Sequence, residues 1–411
     1  MKVEVIAIGD EILRGSVVNT NAAYVSEKLL ESGFVTERQT VLADEQRKLR
    51  EGLEEALSRT EIVIAMGGLG PTQDDITRQT AAKIFDSPWH YDEKLASLLK
   101  KRYGESLISL RDQATVPTKA LVLPNDLGTA PGLIFSRENT MLALLPGVPR
   151  EMKAMLEKEL IPFLSERFCV VERLFFKWLH YCSIEESSID NVIRKLVKKY
   201  PKISFGSYPS QGIVSICLAI RGKEEREAFA EIEKPFEEMR LCFPENCYDS
   251  STGAIEEAVH LSFIGRGLTL AVAESCTGGG LSARLTSLAG SSKYFLGSTV
   301  SYANEFKSSF LGVPKETLLE KGAVSREVVC EMAKGILEKS GADVALSVSG
   351  IAGPSGGSEK KPVGTIYFAI ARREKDLKTW KFQVHGDRAM IIEKVVNRLL
   401  SQLWMEVENG G

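Results

Sequence analysis

The chain has 411 residues, 44% of them hydrophobic and 26% charged, with a formal net charge of −3. At roughly 100–200 residues per domain this length holds two to four ordinary globular domains. No long basic run offers clustered phosphate contacts, so direct nucleic-acid binding is not expected, and no apolar stretch approaches the ~20 residues that span a bilayer.

The chain enters a strand at once, Lys2–Ile8 (KVEVIAI), with no charged leader and cleavage site before it. Seven cysteines are scattered without a CxxC pair, and the four histidines (His90, His180, His260, His385) lie far apart. Reduced thiols and a cytoplasmic location are therefore expected, with neither a disulfide framework nor a zinc site.

Up to about residue 165, apolar runs alternate with amphipathic stretches. Strands are predicted at Lys2–Ile8, Ile62–Met66, Leu121–Leu123, Gly132–Phe135 and Met141–Leu145. Helices are predicted at Ala22–Leu30, Lys48–Leu57, Ile76–Phe85, Lys94–Lys101 and from Pro149 to about Leu160. Such alternation points to a mainly parallel sheet covered on both faces. From about 168 to 248 the pattern becomes a small α+β unit. Its strands are Val170–Leu179, Ile203–Phe205 and Ile213–Arg221. Ser183 is the expected cap of a helix through Tyr200, and a charged helix follows at Glu224–Leu241. The polar segment Tyr248–Gly253 reads as a linker.

A second α/β pattern follows. Ile255–Ile264 is helical and Leu268–Ala273 is a buried strand, with more helix after the glycines at 278–280. Ser298–Tyr302 reads as a strand. Arg326–Glu338 is a helix capped by Ser325. Val344–Val348, Thr365–Ile370 and Trp380–Val384 are strands, and a final helix runs from about Arg388 to Trp404. The expected organisation is α/β: two sandwich domains at 1–166 and 250–411, joined by a small α+β domain at 167–249.

Two clusters carry chemistry. The first follows the strand Ile62–Met66: Gly67-Gly68-Leu69-Gly70-Pro71-Thr72-Gln73-Asp74-Asp75. Glycines after a buried strand let backbone amides approach a ligand, and the next helix N-terminus favours an anion. Asp74 and Asp75 suit a hard divalent cation bridging carboxylate and phosphate oxygens, and Asp10 with Glu11 ends the first strand nearby. Spacing alone fits equally a tight turn with Asp helix caps.

The second comprises Ala273-Glu274-Ser275-Cys276-Thr277-Gly278-Gly279-Gly280, Gly290-Ser291-Ser292, Tyr302-Ala303-Asn304-Glu305-Phe306-Lys307, Ser349-Gly350-Ile351-Ala352-Gly353-Pro354 and Gly386-Asp387-Arg388. Ser292, Tyr302 and Lys307 supply, within a short span, the residue types of a nucleophile, a proton relay and a base without histidine. The glycine loops (Thr277, Gly278 and Gly279; Gly350 and Gly353) offer amides to an oxyanion or a phosphate, and Arg388 offers a bidentate fork. Two other readings stay open. Serine, tyrosine and lysine are common surface and turn residues, and Cys276 beside a helix start is a rival nucleophile or a small buried residue.

The runs GDEILRG, GGLGPTQDD and LPGVPREM resemble the N-terminal domain of CinA proteins, which is similar to the molybdopterin-binding fold. ESCTGG, GSSKYF, SYANEFK, SGIAGPSGG, KPVGTIYF and HGDR, in that order, resemble the C-terminal domain of the same family and the stand-alone nicotinamide mononucleotide deamidases. The resemblance implies deamidation of nicotinamide mononucleotide with Ser292 as nucleophile, Lys307 as base, Tyr302 between them and Arg388 orienting the substrate. No cofactor is implied for that step. Ser349 stands where many members have threonine. For the N-terminal domain it implies cleavage of the ADP-ribose pyrophosphate bond with a divalent metal (Mg, Mn or Co). There Asp75 is the metal-linked carboxylate, Asp44 a second acidic position, and Gly147 part of a phosphate cradle. The resemblance also suggests a homodimer. The family name, which comes from competence and DNA-damage induction, leaves a non-enzymatic interaction protein, or an N-terminal domain that only binds a pterin or nucleotide, as alternatives.

Overall fold

The computed structural model describes residues 2–72, 74–104, 109–168, 172–373 and 375–408. The chain divides into two compact units, Met1–Phe175 with Arg221–Ala228, and Phe176–Ile220 with Phe229–Gly411. The fold is α/β throughout. Among the described residues no helix is long and apolar enough to cross a membrane.

The first unit is built on strands β1 (Lys2–Ile8), β2 (Val35–Leu42) and β3 (Ile62–Met66), a small ribbon of β4 (Trp89–Tyr91) and β5 (Thr115–Pro117), and β6 (Ala120–Leu123), β7 (Gly132–Arg137) and β8 (Thr140–Leu145). The main sheet has the order β2-β1-β3-β8-β7-β6. β2, β1, β3 and β8 run parallel, and the β8-β7-β6 meander is antiparallel. Period-two alternation sends Val3, Val5, Ala7, Ile62 and Ile64 into the core on one face and Ile6, Ile8, Val63 and Ala65 into the core on the other. Burial on both faces is why β1 and β3 read as unbroken apolar runs. β2 (VTERQTVL) escapes that signal because it is an edge strand with exposed charged residues. Glu4 is the one acid inside β1; Arg59 pairs with it at 2.6 Å and Thr40 donates to it.

The second unit holds one sheet whole and most of a smaller one. The smaller contains β9 (Arg173–Cys182), β10 (Ser204–Ser210), β11 (Ile213–Gly222) and β12 (Cys247–Tyr248) in the order β10-β11-β9-β12. The start of β9 and the end of β11 lie in the first unit. The start predicted for β9, Val170, lies outside the described residues. Ser183 does not cap the next helix. That helix begins at Glu186 after Glu185, while Ser183 takes a positive φ of 56° with its hydroxyl buried and unpartnered. In the segment Tyr248–Gly253, read as a linker, Ser250, Ser251 and Thr252 all bond to the Glu257 carboxylate. Cys182, Ile213 and Tyr248 share one core with the final helix, Tyr248 meeting Trp404 edge to face at 5.9 Å.

The larger sheet contains β13 (Leu270–Glu274), β14 (Phe295–Val300), β15 (Val344–Gly350), β16 (Thr365–Arg372) and β17 (Lys378–Gln383), in the order β14-β13-β15-β16-β17. β14, β13 and β15 are parallel, and β16 and β17 are antiparallel additions. Helices Ile255–Arg266 and Arg388–Glu408 cover one face and Arg326–Ser340 the other. Ser325 caps the last of these, its hydroxyl accepting from the Val328 amide.

Candidate active site

The carboxyl end of β13 runs into Ser275-Cys276-Thr277-Gly278-Gly279 and then the helix Gly280–Thr286. Glycine is required here because Gly278 and Gly279 take positive φ values of 61° and 97°. Their amides are already engaged. Gly278 N donates to Ser275 O, Gly279 N to Glu274 Oε2, and Gly280 N to Thr277 O, each at 3.0 Å. Glu274 is fully buried and also accepts from the amides of Leu281 at 3.1 Å and Ser282 at 2.9 Å. The chain's own carboxylate thus occupies the helix N-terminus that was expected to hold a substrate anion, and the amides of Gly278 and Gly279 are not free for it. The Thr277 hydroxyl in this loop is buried without a partner.

Lys307 is buried inside the second unit, with only 1% of it exposed. Its Nζ donates to Ser301 O at 2.7 Å, Tyr302 O at 3.2 Å and Ser275 Oγ at 3.1 Å. Burial in this setting holds its pKa below the ordinary lysine value. The surrounding oxygens stabilise the ammonium, and the Ser275 hydroxyl, alone of the three, carries a proton that a neutral amine could accept.

Arg388 ties the other loops together. One of its nitrogens donates to Gly353 O at 2.8 Å and another to the Tyr302 hydroxyl at 2.8 Å. Both Tyr302 and Arg388 are exposed. Tyr302 therefore meets Lys307 through its carbonyl and Arg388 through its phenol. Ser349 is buried and donates to Ala323 O at 2.7 Å, so its hydroxyl braces the sheet end. Gly350 permits close packing: a Cβ there would fall 3.1 Å from Cys276 Sγ. Burial pushes the Cys276 thiol up to about 12, which removes the thiolate that a cysteine nucleophile needs.

Ser292 stands apart from the other two residues of its expected trio. It lies in the 3-10 turn Ser291–Lys293 ahead of β14, exposed and without a hydrogen bond of its side chain among the described residues. β14 then runs parallel to β13 from Leu270↔Phe295 to Glu274↔Val300. Ser292 therefore sits at the amino end of the strand and Tyr302 and Lys307 beyond its carboxyl end. At about 3.3 Å per residue, the strand keeps them roughly 20 Å apart within one chain.

In the first unit, the loops after β3 and β8 touch: a Cβ on Gly147 would fall 3.4 Å from Gly67 Cα. Gly67 N donates to Leu145 O at 3.1 Å, Gly68 O accepts from Thr77 N at 3.2 Å, and Gly147 O accepts from the Asn21 amide at 2.7 Å. The four expected metal ligands do not form one cluster. The Asp10 amide donates to the Asp44 carboxylate at 3.1 Å and the Asp44 amide to the Asp10 carboxylate at 3.3 Å. Burial, and then the charges of Glu11, Asp10 and Asp74, raises the Asp44 pKa. Asp75 instead accepts from the amide and hydroxyl of Thr72 at 2.9 and 2.6 Å, closing its own turn beside Gly70. Among the described residues no three acidic, histidine or cysteine side chains converge to hold a metal. On the Asp75 side opens a cavity of about 830 Å³, whose lining includes Thr72, Arg78, Lys83, Trp89 and Arg111. Arg78 is nearly buried, lies over the Trp89 ring at 5.5 Å, and keeps its Nε unpartnered. Nothing in the sequence patterns signalled this arginine, which is drawn in by the carbonyls of Asp112 and Thr115 and the Gln113 side chain.

The chain matches the CinA C-terminal domain over residues 252–407 and the probable molybdopterin binding domain over residues 4–166. It is 40% identical to a putative competence-damage inducible protein of Symbiobacterium thermophilum, across 98% of both chains. It is 38% identical to a CinA-like protein of Dictyoglomus turgidum, across 95% of both. Among solved structures, the competence damage-inducible protein A of Klebsiella pneumoniae shares 39% identity, covering 36% of this chain and 92% of its own, with a TM-score of 0.36.

Proposed function

The chain belongs to the CinA family, and on that basis we propose that its C-terminal domain is a serine–lysine amidohydrolase acting on nicotinamide mononucleotide. The observation that carries this reading is Lys307: a buried amine with a lowered pKa, touching a hydroxyl at the carboxyl end of a parallel sheet. Open α/β sheets bind ligands at that end. In the reaction, neutral Lys307 takes the nucleophilic hydroxyl's proton as its oxygen bonds to the carboxamide carbon. The proton passes to the amide nitrogen, ammonia leaves, and water releases nicotinic acid mononucleotide from the acyl-enzyme. The family resemblance assigns the nucleophile to Ser292, which lies roughly 20 Å from Lys307 within the chain; the hydroxyl that Lys307 touches is that of Ser275, at 3.1 Å. Arg388, which bonds Gly353 and Tyr302, orients the substrate phosphate in this reading. Ammonia release from nicotinamide mononucleotide by the full chain, with Lys307→Ala alongside, tests this. Turnover that survives in the variant would remove the lysine from the mechanism.

A second reading concerns the N-terminal domain, supported by the cavity beside Asp75 with its arginines and exposed tryptophan ring. A nucleotide diphosphate such as ADP-ribose suits that mixture of cations and a stacking surface. The four aspartates do not assemble into a ligand set, so the cavity supports recognition of the nucleotide rather than a metal-assisted step. Turnover of ADP-ribose with Mg, Mn or Co, compared with binding alone, separates hydrolysis from simple recognition.

A further inference from the structure

We propose that the cavity beside Asp75 is a pocket for the nucleoside monophosphate part of a nucleotide, separate from the junction of the β3 and β8 loops. The base stacks on Trp89, and Arg111 and Lys83 hold the phosphate in the field of the buried Arg78. This rests on the reading of the cavity as a nucleotide site and assigns the parts of the ligand to residues.

The first observation is location. The helix Thr77–Ile84 contributes Arg78, Gln79 and Lys83 to the cavity, β4 contributes Trp89, and the helix Leu110–Ala114 contributes Arg111 and Asp112. Gly67, Gly68, Gly147, Asp10 and Asp44 do not line it. The glycine loop thus presents Gly67 to the β8 loop, and Gly70, Pro71 and Thr72 to the cavity. A volume of about 830 Å³ lies within the range of small-molecule pockets.

The second observation is the state of Arg78, which is only 6% exposed. Its hydrogen-bond partners are neutral: the carbonyls of Asp112 and Thr115 and the Gln113 side chain. No carboxylate pairs with it among the described residues, and its Nε has no partner. Burial lowers its pKa, opposed by the charges of Asp112 and Asp75. A buried cation without an ion pair is costly, and an anion in the cavity that it lines offsets that cost. Because its Nε is itself buried, Arg78 acts through its charge. Contact with the phosphate oxygens falls to Lys83 and Arg111, which are exposed in the lining.

The third observation is the tryptophan. Trp89 is 41% exposed, although its ring already meets the Arg78 guanidinium at 5.5 Å. Its remaining surface offers a nucleobase a flat partner, and every base has a face that stacks. Asp86 and Asp112, both exposed in the lining, are acceptors for ribose hydroxyls. Arg78, Lys83 and Arg111 are matched in charge by Asp75, Asp86 and Asp112. A lining without net charge suits one phosphate beside a ribose better than a run of phosphates, so recognition of ADP-ribose rests on its AMP half.

The test is binding to the full chain, read by calorimetry and by tryptophan fluorescence, with no turnover required. AMP should quench part of the emission and bind about as tightly as ADP-ribose. Adenosine, which lacks the phosphate, and ribose 5-phosphate, which lacks the base, should each bind at least about tenfold more weakly. Trp89→Leu should abolish the quench and weaken AMP about tenfold, with ribose 5-phosphate unaffected. Arg111→Ala should weaken AMP and ribose 5-phosphate but spare adenosine. Both replaced side chains are exposed, and urea midpoints equal to wild type check that the variants fold. AMP affinity unchanged in both variants would overturn the proposal. If ADP-ribose bound without dependence on Trp89 or Arg111, the pocket would be wrong while the nucleotide reading stood. If neither AMP nor ADP-ribose bound, both would fail.

Discussion

Lys307 Nζ lies 3.1 Å from the Ser275 hydroxyl, deep beneath the loop that joins β13 to its helix. A neutral amine is the working form of a general base, and burial lowers this lysine's pKa. Below that lowered value Lys307 is protonated and cannot accept a proton. The rate therefore falls as pH drops through it and levels off above it. Ser275→Ala removes one acceptor from the ammonium, which depresses the pKa further. The acid limb of kcat/KM should move to lower pH, with a fall in kcat of roughly 10²-fold. Ser275→Thr should restore both. A pH profile identical to wild type in Ser275→Ala would show that the contact only fills space.

Cys276 makes the opposite case. Its thiol, pushed up to about 12 by burial, stays protonated at neutral pH. Cys276→Ala should keep ammonia release within about twofold of wild type, since no thiolate takes part. Mass spectrometry after iodoacetamide treatment of the folded protein at neutral pH should find Cys276 unmodified. Labelling there, with loss of activity, would restore the thiol as a candidate nucleophile.

Glu274 fastens the helix Gly280–Thr286 by accepting from the amides of Gly279, Leu281 and Ser282 and from the Ser282 hydroxyl. Glu274→Gln replaces one acceptor oxygen with a donor facing donors. The cost should be roughly 2–3 kcal/mol, read as a lower midpoint in urea unfolding. A neutral substitution would mean that the helix start is held by other contacts.

Glu257 gathers Ser250, Ser251 and Thr252 at the entrance to the C-terminal domain. Burial alone would raise its pKa, but those hydrogen bonds override it and hold the carboxyl at about 2. A depressed folded pKa stabilises the fold above the ordinary carboxylate value of 4.5, and that contribution is lost as pH falls from there toward 2. Glu257→Gln should be less stable than wild type at pH 7 and nearly equal to it near pH 2. A constant difference across that range would assign the effect to packing.

The two α/β domains and most of their elements are legible in the residue order. The buried runs of β1, β3, β13 and β15 and the amphipathic helices record in one dimension which faces meet a core. The strand β2, charged and at an edge, left no such record. The order of the glycine-bearing loops also placed the candidate residues near strand ends. Which end each residue occupies was settled only by the packed sheet. Ser292 and Lys307 are fifteen positions apart and read as neighbours, but parallel pairing stretches β14 between them across the sheet. The same packing buried Glu274 on the amides that a substrate phosphate was expected to occupy, and set Ser275 against Lys307. These outcomes depend on register and burial, which are fixed by contacts between segments remote in the chain, and no local pattern of residue types encodes them.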